Sequence, residues 1–132
     1  MFTLQSLSLV LIGGGCGAVC RYIATTLIGS RFGTVFPFGT LFVNIAGSLI
    51  MGFITGLLLN YTLAEHTTIP ENLRLLLVVG FLGGFTTFSS FSMETLLLLK
   101  GDSIFYAFAN IAANLLLGLA AVFTGFWGAS NL

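Results

Sequence analysis

Charge is what this sequence has least of. Four Lys and Arg and four Asp and Glu stand among 132 residues, 6% against the ~25% of an ordinary soluble domain. So few charges cannot cover a water-facing surface. A mean hydropathy of +1.09 with 57% hydrophobic residues says that the surface is mostly apolar. The solvent is lipid, and a soluble enzyme is excluded. The signs balance to zero, so no field of clustered cations exists to displace counterions from a nucleic-acid backbone. Nucleic acid is not a partner. Cysteine occurs twice and histidine once, and no His or second Cys pair supplies metal-ligand spacing. Cys16 and Cys20 lie one helical turn apart among Gly13, Gly14, Gly15, Gly17 and Ala18. That placement is poor for a disulfide and reads as small-residue packing. His66, beside Glu65, reads as solvated loop surface.

What is present in quantity is uninterrupted apolar sequence. Residues 1–20, 32–64, 75–93 and 103–132 contain no Asp, Glu, Lys or Arg, and a helix needs about 20 apolar residues to cross a ~30 Å hydrocarbon core. The reading is a single transmembrane domain over 1–132, an all-α membrane protein of four transmembrane helices at about 4–28, 39–61, 71–99 and 103–128. Connections are short: 29–38 with Pro37, 62–70, then Lys100-Gly101-Asp102. They leave no length for an extramembrane domain. The N-terminus lacks a cationic n-region, so the first segment is expected to stay as a span and not to be a signal peptide. Four spans put both termini on one side with Arg74, and Arg31 and Lys100 on the other. One cation against two orients the chain only weakly, which makes insertion in both orientations plausible.

One motif match fails on its context. Gly13, Gly15 and Ala18 after Leu7–Ile12 fit a dinucleotide fingerprint, yet no carboxylate follows between residues 31 and 64, and no soluble parallel sheet can be built around it. In lipid the same glycines let helices approach closely.

The informative residues are polar ones inside the spans. Thr40, Asn44, Gly47 and Ser48 recur at helical spacing on the second helix, and Gly52 with Gly56 makes a GxxxG step. An amide in hydrocarbon must be satisfied, so Asn44 either makes an interhelical hydrogen bond or serves a polar path. In the third span Gly80, Gly83 and Gly84 precede Phe85-Thr86-Thr87-Phe88-Ser89-Ser90-Phe91-Ser92. Paired glycine followed by hydroxyls predicts a break near the middle of that helix, where freed backbone is tolerated only inside protein or along a cavity. A kinked helix with hydroxyls bonded back to their own backbone is the alternative. Phe88 and Phe91, at i and i+3, share a face. Their partly positive ring edges can hold a dehydrated anion, or they are ordinary aromatic packing. Asn110 and Asn114 place two more amides on one face of the fourth helix.

These residues carry a family resemblance. Gly-Phe-Leu-Gly-Gly-Phe-Thr-Thr-Phe-Ser-Ser-Phe-Ser-Met-Glu at 80–94 and Gly-Thr-Leu-Phe-Val-Asn-Ile-Ala-Gly-Ser at 39–48 resemble the Fluc/CrcB fluoride channels. Gly17-Ala18-Val19-Cys20-Arg21 resembles that family's first-helix Gly-x-x-x-Arg pattern, and 110–118 its fourth helix. The resemblance covers nearly the whole chain. It implies an antiparallel dual-topology homodimer of four-helix subunits, with two fluoride pores and a structural sodium ion at the dimer centre. It also implies a multi-pass protein of a bacterial inner (plasma) membrane. By motif position, Phe88 and Phe91 are the aromatic box and Asn44 the amide that donates to fluoride. Ser90 and Glu94 lie near the polar pathway, and Arg21 lies in an aqueous vestibule; snorkelling or pairing with Glu94 are the alternatives for Arg21. The backbone carbonyls of Gly83 and Thr86 hold the sodium. Asn110, Asn114 and Gly118 stand where some members carry Tyr, Ser or His, a departure that bears on the polar track.

The implied physiology follows from acid chemistry. Hydrogen fluoride crosses bilayers neutral, ionises in a near-neutral cytoplasm and is trapped there as fluoride. A passive anion pore lets it leave and so confers fluoride resistance. An inside-negative potential contributes about 2.3 kcal/mol per charge per 100 mV to expulsion, so neither ATP nor a coupled ion is needed. Two other classes compete. A small dual-topology multidrug exporter shares the size, but proton-coupled cation export needs a membrane carboxylate and the first span has none. A non-transporting assembly subunit explains the GxxxG packing but not the hydroxyl-rich break.

Overall fold

The computed structural model describes residues 3–65 and 70–131, and the regular elements among them are helices. Among the described residues four helices are long and apolar enough to cross a membrane: Leu4–Phe32, Phe38–Thr62, Glu71–Lys100 and Ile104–Ser130. Both ends of the first helix have a local cause. Thr3 caps the first helix, its hydroxyl accepting from Ser6 N–H at 3.1 Å while Ser6 Oγ accepts from Thr3 N–H at 3.0 Å. Gly33 ends that helix at φ +83°, the left-handed region that favours glycine, with its N–H on the Gly29 carbonyl. The first helix thus extends past residue 28 to Phe32. The second helix is described as far as Glu65, three residues beyond its apolar span. His66 and the Glu65 side chain lie outside the described residues.

Glycine sets how closely the spans approach. A Cβ on Gly13 or Gly17 would overlap the Leu76 or Phe81 carbonyl oxygen of the third span, and one on Gly84 would overlap the Gly14 carbonyl. The first and third spans therefore touch backbone to backbone. Gly52 and Gly56 do the same for the second helix against Val122 and Phe126, and Gly125 returns the contact toward Leu49. The second and fourth helices make the most extensive helix pair in the chain. Cys16 and Cys20 correct the sequence reading in part. They are free and exposed, because the packed face of the first helix belongs to Gly13 and Gly17 and the cysteines fall on another face of the turn. Leu11, Leu27, Leu116, Phe123 and Trp127 are also exposed, as a surface solvated by hydrocarbon requires.

The third span is not one regular helix. Glu71–Leu73 is α, Arg74–Leu82 is π-helical, Gly83–Phe85 is α, and Phe88–Lys100 is α again. Between the last two pieces Thr86 (φ −82°, ψ 160°) and Thr87 (φ −152°, ψ 115°) are extended. The interruption expected of the glycine pair and the hydroxyls after it thus falls on the two threonines. Gly84 serves close approach to the first helix, whereas β-branched Thr87 takes the extended shape readily and caps the resumed helix by accepting from Ser90 N–H at 3.1 Å. Nothing in residues 74–82 announced the π-helix.

Candidate functional site

The extended step takes carbonyls out of the helical ladder, those of Gly83 and Thr86 among them. In an unbroken helix the Thr87 N–H would reach the Gly83 carbonyl and the Ser90 N–H the Thr86 carbonyl. Here Thr87 N–H donates to Asn44 Oδ1 at 2.8 Å and Ser90 N–H to Thr87 Oγ1. Asn44 Nδ2 completes the pairing by donating to the Thr87 carbonyl at 3.1 Å. A side-chain amide from the second helix thus stands in for the missing backbone partner on both sides of one residue. Its second Nδ2 proton goes to Asn114 Oδ1 at 2.9 Å, so both donors of Asn44 are engaged. The interhelical hydrogen bond is present.

Two cavities flank the step. The first, about 270 Å³, is lined by Asn44, Ser48, Thr86, Thr87, Phe88, Phe91 and Asn114 among others. Phe88 is 76% exposed and Phe91 only 9%; their ring centroids are 5.5 Å apart and the planes are inclined at 54°. The pair shares the cavity wall, as the i, i+3 spacing predicts. The second cavity, about 290 Å³, is lined by Arg21, Thr25, Thr40, Thr87, Ser90 and Glu94 among others. Thr87 borders both.

The expected residues therefore fall into three groups. Asn44, Phe88, Phe91 and Asn114 meet at the first cavity, and Arg21, Ser90 and Glu94 at the second. Asn110 lines neither and is wholly buried, with Nδ2 on Thr95 Oγ1 at 2.9 Å. Arg21 does not pair with Glu94; its Nη1 donates to the Thr86 carbonyl at 3.3 Å. Glu94 instead accepts from the Thr40 hydroxyl at 2.7 Å on Oε1, and its Oε2 is buried with no partner. Thr40, Thr87 and Thr95 were missed as site residues. Thr40 was visible as part of the polar stripe on the second helix, but sequence offered no sign of what it would meet.

Gly83 and Thr86 fit a backbone-held cation by the test of donor supply. Both carbonyls lose their helical donors at the step, and the single Arg21 bond on Thr86 leaves that oxygen a second lone pair. A hard monovalent ion suits such a set, since Ca²⁺ and Mg²⁺ sites usually add carboxylates or several waters.

Comparison with known proteins identifies a family. The family model described as "CrcB-like protein, Camphor Resistance (CrcB)" matches residues 8–126. The "Fluoride-specific ion channel FluC" of Shewanella loihica is 44% identical over 122 residues, 92% of this chain and 94% of that one. The protein of the same name from Shewanella amazonensis is 47% identical over 116 residues, 88% and 89% of the two chains. That from Phocaeicola vulgatus is 41% identical over 124 residues, 94% and 98% of the two chains. A match of this extent, joined to a multi-pass helical fold, shows that the chain belongs to the CrcB-like family.

Proposed function

We propose that this chain is a passive fluoride channel that exports cytoplasmic fluoride and thereby confers fluoride resistance. One observation carries the reading: a cavity in which two phenyl rings and two amides meet at an interrupted membrane helix. Ring edges carry partial positive charge, and in hydrocarbon-walled space that charge replaces part of an anion's water more effectively than it would in solution. Because both Asn44 donors are engaged, an anion that takes a proton from Asn44 displaces an existing partner, and the Thr87 carbonyl holds the longer bond. Family membership counts against the exporter and assembly-subunit readings.

The working unit under this proposal is an antiparallel, dual-topology homodimer in a bacterial inner membrane. The first cavity supports it, because Asn44, Ser48, Thr86 and Thr87 line a cleft on the outside of a single subunit. Lipid offers no hydrogen bond to the capacity this wall has to spare, such as the Ser48 hydroxyl, and it solvates a polar wall poorly; a second copy covers it. Gly83 and Thr86 carbonyls from both subunits would hold a structural Na⁺, which supplies positive potential between two anion paths. Arg21, Ser90 and Glu94 would line the polar approach, with Asn114 continuing the track.

The test is electrogenic efflux from liposomes holding only this protein. Fluoride should leave as soon as a potassium ionophore supplies charge balance, with no ATP and no proton gradient, while chloride stays inside. Fluoride retained at the rate of protein-free liposomes overturns the proposal. For topology, a C-terminal reporter on protein expressed at native level should register on both sides of the membrane; every C-terminus on one side overturns the dual orientation.

A further inference from the structure

Asn44, Asn114 and Asn110 form one head-to-tail hydrogen-bond chain whose ends are both backbone groups. Thr87 N–H donates to Asn44 Oδ1 at 2.8 Å. Asn44 Nδ2 donates to Asn114 Oδ1, Asn114 Nδ2 to Asn110 Oδ1, and Asn110 Nδ2 to Thr95 Oγ1, each at 2.9 Å. The Thr95 hydroxyl then donates to the Phe91 carbonyl at 2.8 Å. A backbone N–H can only donate and a carbonyl can only accept, so the two ends impose one direction on every amide between them. Two more backbone acceptors enforce it, the Thr87 carbonyl on Asn44 at 3.1 Å and the Asn110 carbonyl on Asn114 at 3.0 Å. Flipping one amide would set oxygen against oxygen in a buried place, where an unmade bond costs the desolvation of the group.

The chain reaches well beyond the cavity. Asn44 and Asn114 line it, whereas Asn110 (0% exposed) and Thr95 (9%) do not. Thr95 lies one turn after Phe91 and bonds to its backbone, so the far end of the chain anchors on a residue of the cavity wall. We propose that Asn110 and Thr95 are positioning residues: without meeting the ion, they fix which way the Asn44 and Asn114 amides face and lock that orientation to the Phe91 backbone. The inference rests on the fluoride-channel reading and deepens it, by assigning the fourth-helix amide at 110 to the support of the path and not to its lining.

Thr95→Val keeps shape and removes the hydroxyl; Thr95→Ser restores it. Fluoride efflux per unit of folded protein should fall about tenfold in Thr95→Val, the equivalent of one buried hydrogen bond, and recover in Thr95→Ser. Thr95 and Asn114 share no hydrogen bond, so a merely local role predicts that their effects multiply. A relay predicts that Thr95→Val adds little once Asn114→Ala has cut the chain. Multiplicative losses, or wild-type efflux in Thr95→Val, overturn the proposal. Side-chain amide NMR with labelled asparagine reads the relay without fluoride: Thr95→Val should move the Asn44 and Asn114 resonances as well as that of Asn110. If those two stay in place, the relay is refuted even where the wild type conducts. If the wild type fails to conduct, the channel reading fails while the spectra still judge the relay. In the unmodified chain the Asn110 amide protons should resist exchange with deuterated solvent, and rapid exchange overturns the proposal without any variant.

Discussion

The third span meets its neighbours along two seams that solve one problem in opposite ways. Against the first helix it packs glycine to backbone, with Gly13, Gly17 and Gly84 admitting carbonyls where any side chain would collide. Against the second and fourth helices it packs through amides and hydroxyls, Asn44 on Thr87 and Asn110 on Thr95. Lipid gives no hydrophobic drive between helices, so association draws on close packing or on hydrogen bonds. The glycine contacts at Gly13, Gly17 and Gly84 use the first, backbone against backbone. The amide seam uses the second and opens onto a cavity. Structure is held by one and function is proposed for the other.

The largest expected effect breaks the glycine seam. Gly17→Val places a branched side chain on the Phe81 carbonyl, and overpacking of this kind costs about 3 kcal/mol or more. Size-exclusion chromatography of the purified chain should show little or no folded species. Replacing Na⁺ by a large organic cation on both sides of the membrane comes next. Fluoride flux should fall at least about tenfold, because the Gly83 and Thr86 carbonyls would be left without a cation to satisfy them; full flux in Na⁺-free solution refutes the sodium site.

Substituting the two rings separates them. Phe88→Ile keeps an apolar side chain on a largely exposed residue while removing the quadrupole, so efflux should drop roughly tenfold with stability unchanged. Phe91→Ile alters a buried residue and should lower both efflux and thermal stability, the latter by about 1–3 kcal/mol. Equal stability in the two variants would contradict the burial contrast. The smallest effect is Gly15→Ala. No atom lies within 4 Å of that Cβ, so yield and flux should match the wild type, with helix propensity gaining up to about 1 kcal/mol.

Sequence alone exposed the two seams unequally. The four spans were legible because charge-free runs of membrane length admit few other readings. Glycine spacing on the first helix indicated close packing, but it did not separate Gly13 and Gly17, which pack, from Cys16 and Cys20, which face outward; that depends on the rotation of the helix against its neighbour. The break expected of paired glycine followed by hydroxyls falls on the threonines of that run, because Gly84 answers to the Gly14 backbone across the seam while Thr87 has Asn44 to replace its lost partner. The same limit hid Thr95, whose role depends on which residue of the fourth helix comes opposite it. Local patterns identified polar positions, and only the packed chain paired them.

The central claim is that the amide seam carries the ion while the glycine seam only packs. Fluoride efflux at equal amounts of folded protein, measured for one conservative change in each seam, tests it most directly. Asn44→Asp exchanges the two donors now on the Thr87 carbonyl and Asn114 for an oxygen, and it brings a possible negative charge into an anion path. Gly14→Ala meets only the Gly80 carbonyl, at an ordinary 3.8 Å. The account predicts efflux at least about 100-fold lower for Asn44→Asp, equivalent to about 2.7 kcal/mol, and wild-type efflux for Gly14→Ala. Normal conduction by Asn44→Asp would contradict it.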